Sequence, residues 1–344
     1  MHLPTSLKKD WSVLVVLIIF LLLQSCTKHP ESFLHTVKNG PTPWTYEPEP
    51  RQDEKFTFAV IGDLHSGERE GIFAIAVEQL NLLRPEFVLS VGDLVDGGTE
   101  DTVELKNQFD HFDERAAKLK SPFFHVVGNH DITNAVMQQY WEKRYGKRYY
   151  HFVYNNVLFL VLDSEDYSKE RMREIYEARA KAIEVLDGPN PELARQLDYF
   201  KMPERATCEI SDNQSSYFEK VIADHPNVRW TFLLMHKPVW KREAEGNLSR
   251  LEKALDKRKY TVINGHFHDY SYTLHNERDY IMVATTSGGQ NPLSETAFDH
   301  VTLITMDNDG PVIANLRMDG ILDKYAHIPL NGDTLCFQAS KCRE

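Results

Sequence analysis

Short apolar runs recur along the chain from Phe56, and each stops at a polar or glycine cluster: "FTFAVIGDLH", "EFVLSVGD", "FFHVVGNHD", "NVLFLVLDS", "RWTFLLMHKP", "YTVINGHFH" and "IMVATTSGG". Runs of about four to eight residues rich in Val, Phe, Leu and Ile suit strands buried on both faces. Helical spacing fills the early gaps. Ile72, Ala76, Leu80 and Leu83 recur on one face of "EGIFAIAVEQLNLL", and "TEDTVELKNQFDHFDERAAKLK" follows the second run. Alternating strands and helices predict an α/β fold with much parallel sheet. Two stretches break the rhythm. Residues 165–213 form a charged, helix-prone insert, and "HVTLITMDNDGPVIANLRMDGILDKY" reads as a hairpin turning at "DNDG". Neither an internal repeat nor a second domain boundary is visible, so residues 56–335 read as one domain and 336–344 as a tail.

The N-terminus follows a different pattern. Lys8 and Lys9 precede an unbroken apolar run from Val13 to Leu23, then Ser25 and Cys26. That run is short of the roughly 20 residues a spanning helix needs but suits a signal-peptide core. "LQSC" resembles a bacterial lipobox, which implies cleavage after residue 25, acylation of Cys26 and a place outside the cytoplasm in a bacterial cell envelope. Residues 26–55 are rich in Pro and charge without period, and are expected to be a tether holding the domain on the order of 30 Å from the lipid. Among the later cysteines, Cys336 and Cys342 could close a small loop in an oxidising compartment, with Cys208 left over.

Composition adds exclusions. The chain is 42% hydrophobic and 26% charged, ordinary for a globular protein. Its net charge of −12 and pI near 5.7 argue against binding a nucleic-acid backbone. No Cys-rich metal pattern is present, so a metal site would have to use His, Asp and Asn.

Those residue types stand at the ends of the apolar runs. The first ends in Asp63-Leu64-His65, the second in Gly92-Asp93 with Asp96 beyond, the third in Gly128-Asn129-His130-Asp131. The fifth ends in His236 and the sixth in Gly265-His266-Phe267-His268. Carboxyl ends of strands in open α/β sheets converge on ligand sites. Asp, His and Asn are the oxygen and nitrogen donors that first-row divalent metals take, and a shared carboxylate can bridge two such ions. Two dications less two carboxylates leave a positive surplus suited to a phosphate anion.

In this order, "DLH", "GDLVD", "GNHD", "MH" and "GHFH" resemble the signature of the calcineurin-like metallophosphoesterases, over residues 58–268. The resemblance implies a two-sheet β sandwich flanked by helices, with a dinuclear site at the strand ends. One metal would take Asp63, His65, Asp93 and His268; the other would share Asp93 and add Asn129, His236 and His266. His130 would donate a hydrogen bond or proton to phosphate or leaving group, with the Asp96 carboxylate orienting it and keeping it charged. The implied reaction is hydrolysis of a small phosphoester (nucleotide, phospholipid headgroup or sugar phosphate) by a metal-bridging hydroxide, with two divalent ions such as Mn, Fe or Zn. A non-catalytic metal-containing lipoprotein receptor is the alternative.

The departures narrow the branch. Gly97-Gly98 stand where the protein Ser/Thr phosphatases carry an arginine, and the pattern sits closest to the bacterial phosphodiesterase-like branch. His125 reads as a strand residue. Asp163-Ser164 either touches the site or caps the insert, and Trp141, Tyr145, Tyr149 and Tyr150 either line a cleft or join an aromatic core. The 165–213 insert is placed where a lid would be.

Overall fold

The computed structural model describes residues 32–50, 53–241 and 246–342; the expected signal segment 1–25 and Cys26 lie outside them. Two sheets pack face to face between layers of helix. The five-stranded sheet runs β12-β11-β2-β3-β4, made of β2 (Phe56–Ile61), β3 (Val88–Ser90), β4 (Phe123–Phe124), β11 (His300–Met306) and β12 (Pro311–Arg317). The seven-stranded sheet runs β1-β5-β6-β7-β8-β10-β9, made of β1 (Phe33–His35), β5 (Tyr150–Tyr154), β6 (Val157–Val161), β7 (Trp230–Leu234), β8 (Tyr260–Asn264), β9 (Ser271–His275) and β10 (Arg278–Met282). β2, β3 and β4 are parallel, as are β6, β7, β8 and β10. The polar ends of the apolar runs therefore emerge on one side of each sheet. The C-terminal hairpin forms as expected, with β11 antiparallel to both β12 and β2.

The strand runs are apolar throughout because both faces are covered. Along β2, Phe58 and Val60 enter the core between the sheets, whereas Ala59 and Ile61 pack outward. Along β6, Phe159 and Val161 point inward while Leu158 and Leu160 face the other helix layer. The inter-sheet core is aromatic: the Phe58 ring lies 5.2 Å from Phe159 and 5.1 Å from Phe232, both edge-on. Outside the five-stranded sheet lie α1 (Ile72–Leu83), α2 (Thr102–Ala116) and α3 (Ala135–Tyr145). The insert supplies α4 (Lys169–Leu186), capped by the Ser168 hydroxyl on the Arg171 N–H, then three short 3₁₀ turns between Pro191 and Arg205. α5 (Asp212–Asp224) and α6 (Gly246–Ala254) cover the outer face of the seven-stranded sheet.

Two expected boundaries move. The segment read as tether is part of the domain from Phe33 onward. β1 pairs antiparallel with β5, Trp44 is buried beside Phe124, and Thr45 donates its N–H to the Phe123 carbonyl. Its prolines hid this from a reading based on periodicity, since a three-residue edge strand carries no detectable period. The tail also folds back: Phe337 is buried, Asp299 donates its N–H to the Phe337 carbonyl, and Cys336 is disulfide-bonded to Cys342. Trp141, Tyr145 and Tyr150 are core residues, and Tyr149 packs against the α5 layer. No helix among the described residues is long and apolar enough to cross a membrane.

Candidate metal centre

The loops after β2, β3, β4, β7 and β8 meet at the edge of the sandwich. Two groups of ligating atoms come together there. Asp93, His236 and His266 form one, and Asp63, Asp93 and His268 form the other, so Asp93 belongs to both. Asn129 joins the first, its Oδ1 lying 3.0 Å from His236 Nε2.

Each of the three histidines is aimed by a main-chain carbonyl. His236 Nδ1 lies 2.8 Å from the Val91 carbonyl, His266 Nε2 lies 2.6 Å from that of Arg205, and His268 Nδ1 bonds that of Gly289. A carbonyl only accepts, so the facing nitrogen carries the hydrogen and the other presents a lone pair to the centre. His236 Nε2 thus meets Asp93 Oδ2 at 3.2 Å, His266 Nδ1 at 3.2 Å and the Asn129 oxygen. A gathering of acceptors this close is satisfied only by a cation. A proton is one such cation: burial opposes charging His236, but Asp93, then Asp63 and Glu165, lift it to about 9. Burial, then the charge on His236, holds His266 well below the usual range. Burial raises the Asp63 carboxyl, opposed by His268 and His236 and reinforced by Asp93. A divalent ion answers the same demand with more charge, and the N/O donor set suits first-row metals.

The backbone around the ligands is strained and held. Asp93, His266 and His268 adopt left-handed φ values of 58°, 84° and 59°, a conformation that persists only where the surroundings enforce it. At Asp93 the enforcing group is Asp131, the last residue of "GNHD". Its buried carboxylate accepts the N–H groups of Asp93 (2.9 Å), Leu94 (2.8 Å), Val95 (3.2 Å) and Gly128 (2.8 Å). Gly128 must lack a side chain here, since a Cβ would stand 2.3 Å from the Asp93 nitrogen. The Asp63 carboxylate in turn accepts the His266 N–H at 3.0 Å.

Two residues sit differently from expectation. His65 is next to the group, its N–H bonded to the Asp93 carbonyl, but its ring nitrogens turn to Glu68 (3.0 Å) and Asp96 (3.2 Å). Burial opposes its charging, and those two carboxylates raise it to about 9. The Asp96 carboxylate is therefore engaged with His65, and His130 Nδ1 meets the Asp96 main-chain carbonyl instead, at 2.7 Å. With a carbonyl as partner the imidazole is not held charged. Burial lowers its pKa, with Asp93 pulling upward and Arg179 pushing down.

The sequence profile of the calcineurin-like phosphoesterases matches residues 56–270, which hold every one of these ligands. The chain belongs to this family. Among solved structures, a dimetal phosphatase from Danio rerio is 14% identical, with a TM-score of 0.51 over 76% of this chain and 98% of that one. GAP50, the anchor in the inner membrane complex of Plasmodium, is 15% identical with a TM-score of 0.45, covering 80% of this chain and 87% of that one. Identities this low show the fold alone. No curated protein matches the chain. In this calcineurin-like phosphoesterase the family's two-sheet fold and a candidate dinuclear centre coincide at the strand ends.

The sequence reading missed the roles of Asp131 and Glu68, whereas it placed the insert as a lid. Asp131 closes the "GNHD" stretch, but its role depends on four N–H groups from two loops. The insert covers the centre: the Arg205 carbonyl holds His266, and one pocket is shared by Asn129 and Thr133 with Met172, Arg179 and Tyr199 of the insert. Asp163 neither joins the metal groups nor faces the pocket. It is buried, ion-paired with Arg148, and accepts the Glu165 N–H at 2.8 Å. His125 is buried too, beyond the end of β4.

Proposed function

We propose that the protein is a metal-dependent phosphoester hydrolase tethered outside the cytoplasm by a lipid on Cys26. The observation that carries the catalytic half is the pair of ligand groups sharing Asp93. When bound, two divalent ions would supply the positive charge and Lewis acidity that make a phosphorus centre electrophilic and water acidic. Asp63, Asp93, Asn129, His236, His266 and His268 would hold them. His65 would join by turning its ring from Glu68 and Asp96.

The chain's own residues do the positioning. Three carbonyls fix the imidazole tautomers, and Asp131 holds the Asp93 loop. His130, anchored through Nδ1, keeps Nε2 for the substrate, and an arriving phosphoester anion favours its charged form. Asp96 acts on it through the main chain. Small phosphoesters are the substrates the family suggests, with nucleotides, phospholipid headgroups and sugar phosphates as candidates.

The extracytoplasmic half is supported by the Cys336–Cys342 disulfide, a bond that persists in oxidising compartments. With the domain packed from Phe33, only residues 27–32 separate Cys26 from it, so the domain would stand nearer the membrane than a long tether allows. The test follows hydrolysis of bis(p-nitrophenyl) phosphate by residues 27–344 with Mn²⁺, after chelation, and in Asp93→Asn. Turnover that needs metal and drops at least 10³-fold in Asp93→Asn is expected; metal-independent turnover would sink the reading.

A further inference from the structure

The insert carries five arginines: Arg195 is exposed, and Arg171, Arg173 and Arg205 have partners within the insert. Arg171 pairs with Glu204 and Glu174, Arg173 lies 3.8 Å from Glu177, and Arg205 stacks its guanidinium 4.5 Å from the Phe200 ring. Arg179 has no hydrogen bond or carboxylate partner among the described residues. It lies in the same pocket as Asn129, a candidate ligand.

Its placement is arranged from the opposite loop. Gly98 follows the Asp93-to-Asp96 loop with φ 71°, and a Cβ there would stand 2.6 Å from Arg179 Nη1. The glycine lets a guanidinium from α4 lie directly on the loop that leads from the shared carboxylate. The other charges of the pocket are already matched: Lys237 Nζ lies 2.9 Å from Glu165, and Glu204 is held by Arg171. One positive charge remains, on Arg179, in the pocket that Asn129 also lines. A half-buried guanidinium without a carboxylate is a ready partner for an oxyanion, since its planar donors match phosphate oxygens.

We infer that Arg179, delivered by the insert and seated against Gly98, is a substrate-binding residue that grips a phosphoryl oxygen of the ester. This deepens the hydrolase reading and rests on it for the identity of the anion. It also gives the insert a direct role in recognition: Met172, Ile175 and Tyr199 flank the same pocket and offer an apolar and aromatic wall to the organic group of the ester.

The probe is inorganic phosphate, titrated calorimetrically into Mn²⁺-loaded protein whose metal content is measured alongside. Arg179→Ala is expected to bind phosphate about tenfold more weakly at unchanged metal content, with Arg179→Lys recovering part of the loss. Gly98→Ala, whose methyl displaces the guanidinium, should weaken phosphate in the same direction. For p-nitrophenyl phosphate, the KM of Arg179→Ala should rise more than kcat falls. A phosphate Kd in Arg179→Ala equal to that of the unmodified protein overturns the inference while leaving the hydrolase reading intact. Failure of the unmodified protein to hydrolyse any phosphoester with metal bound defeats that reading, whereas the phosphate titration still decides whether Arg179 binds the anion.

Discussion

Asp131→Asn tests whether the Asp93 loop is held by a carboxylate. One Asp131 oxygen accepts the Leu94 and Val95 N–H groups, and the other accepts those of Asp93 and Gly128. Whichever way the amide turns, two of the four N–H groups face an NH₂ and lose their acceptor. At about 2 kcal/mol for each hydrogen bond to a charged, buried acceptor, the loss is about 4 kcal/mol. Domains commonly hold ~5–15 kcal/mol, so the variant should still fold. At roughly 2 °C per kcal/mol for a chain of this size, it should melt ~8 °C lower. The measurement belongs at pH 8, because burial and then the Asp93 charge push the Asp131 carboxyl up to about 7. An NH₂ on one side frees Asp93 to leave its left-handed conformation, and on the other it loosens the loop at Leu94 and Val95 that carries Asp93. In either orientation Mn²⁺ affinity should fall ~10–100-fold, as expected for lost support of a metal ligand. A melting shift under about 2 °C together with unchanged Mn²⁺ affinity would refute the reasoning.

Two further outcomes are expected. His125 is buried, stacked 4.0 Å from Tyr145, and burial drops its pKa to about 4, only partly offset by Asp113. A depressed histidine contributes stability that is present above its unfolded pKa and lost as pH falls from 6.5 toward 4. His125→Phe has no such proton to bind, so its stability relative to the unmodified protein should improve by about 3 kcal/mol between pH 7 and pH 4; parallel denaturation curves at the two pH values would contradict this. Trp44→Ala should cost ~3–5 kcal/mol, because the residue is 3% exposed and fills the inter-sheet core. Urea denaturation indistinguishable from the unmodified protein would return residues 33–50 to the role of tether.

The strand runs and their polar ends were legible because both rest on local pattern. Residues such as Phe58 and Ala59 must both be apolar when one faces the second sheet and the other a helix, and that requirement is written as a continuous run. The order of ligating residues at the run ends was equally plain. β1, β5 and β9 were not read as strands: β1 is three residues long, β5 begins inside the aromatic stretch first weighed as cleft or core, and β9 is an edge strand exposing Tyr272 and Leu274. Edge and short strands owe their state to a partner distant in sequence, so no local period marks them.

The sequence by itself thus determined the α/β class and the residue types of a candidate metal centre, which follow from short-range alternation and from the chemistry of Asp, His and Asn. The two-sheet sandwich was implied by the family resemblance of its motifs. Tertiary structure alone decided the directions of side chains. It turned His65 toward Glu68, gave His130 the Asp96 carbonyl in place of its carboxylate, set three imidazole tautomers through carbonyls from separate loops, and laid Arg179 against Gly98. The reason is physical. A ligand's identity is a property of one residue, whereas its orientation is fixed by hydrogen bonds to groups as far as 145 or 203 residues away along the chain.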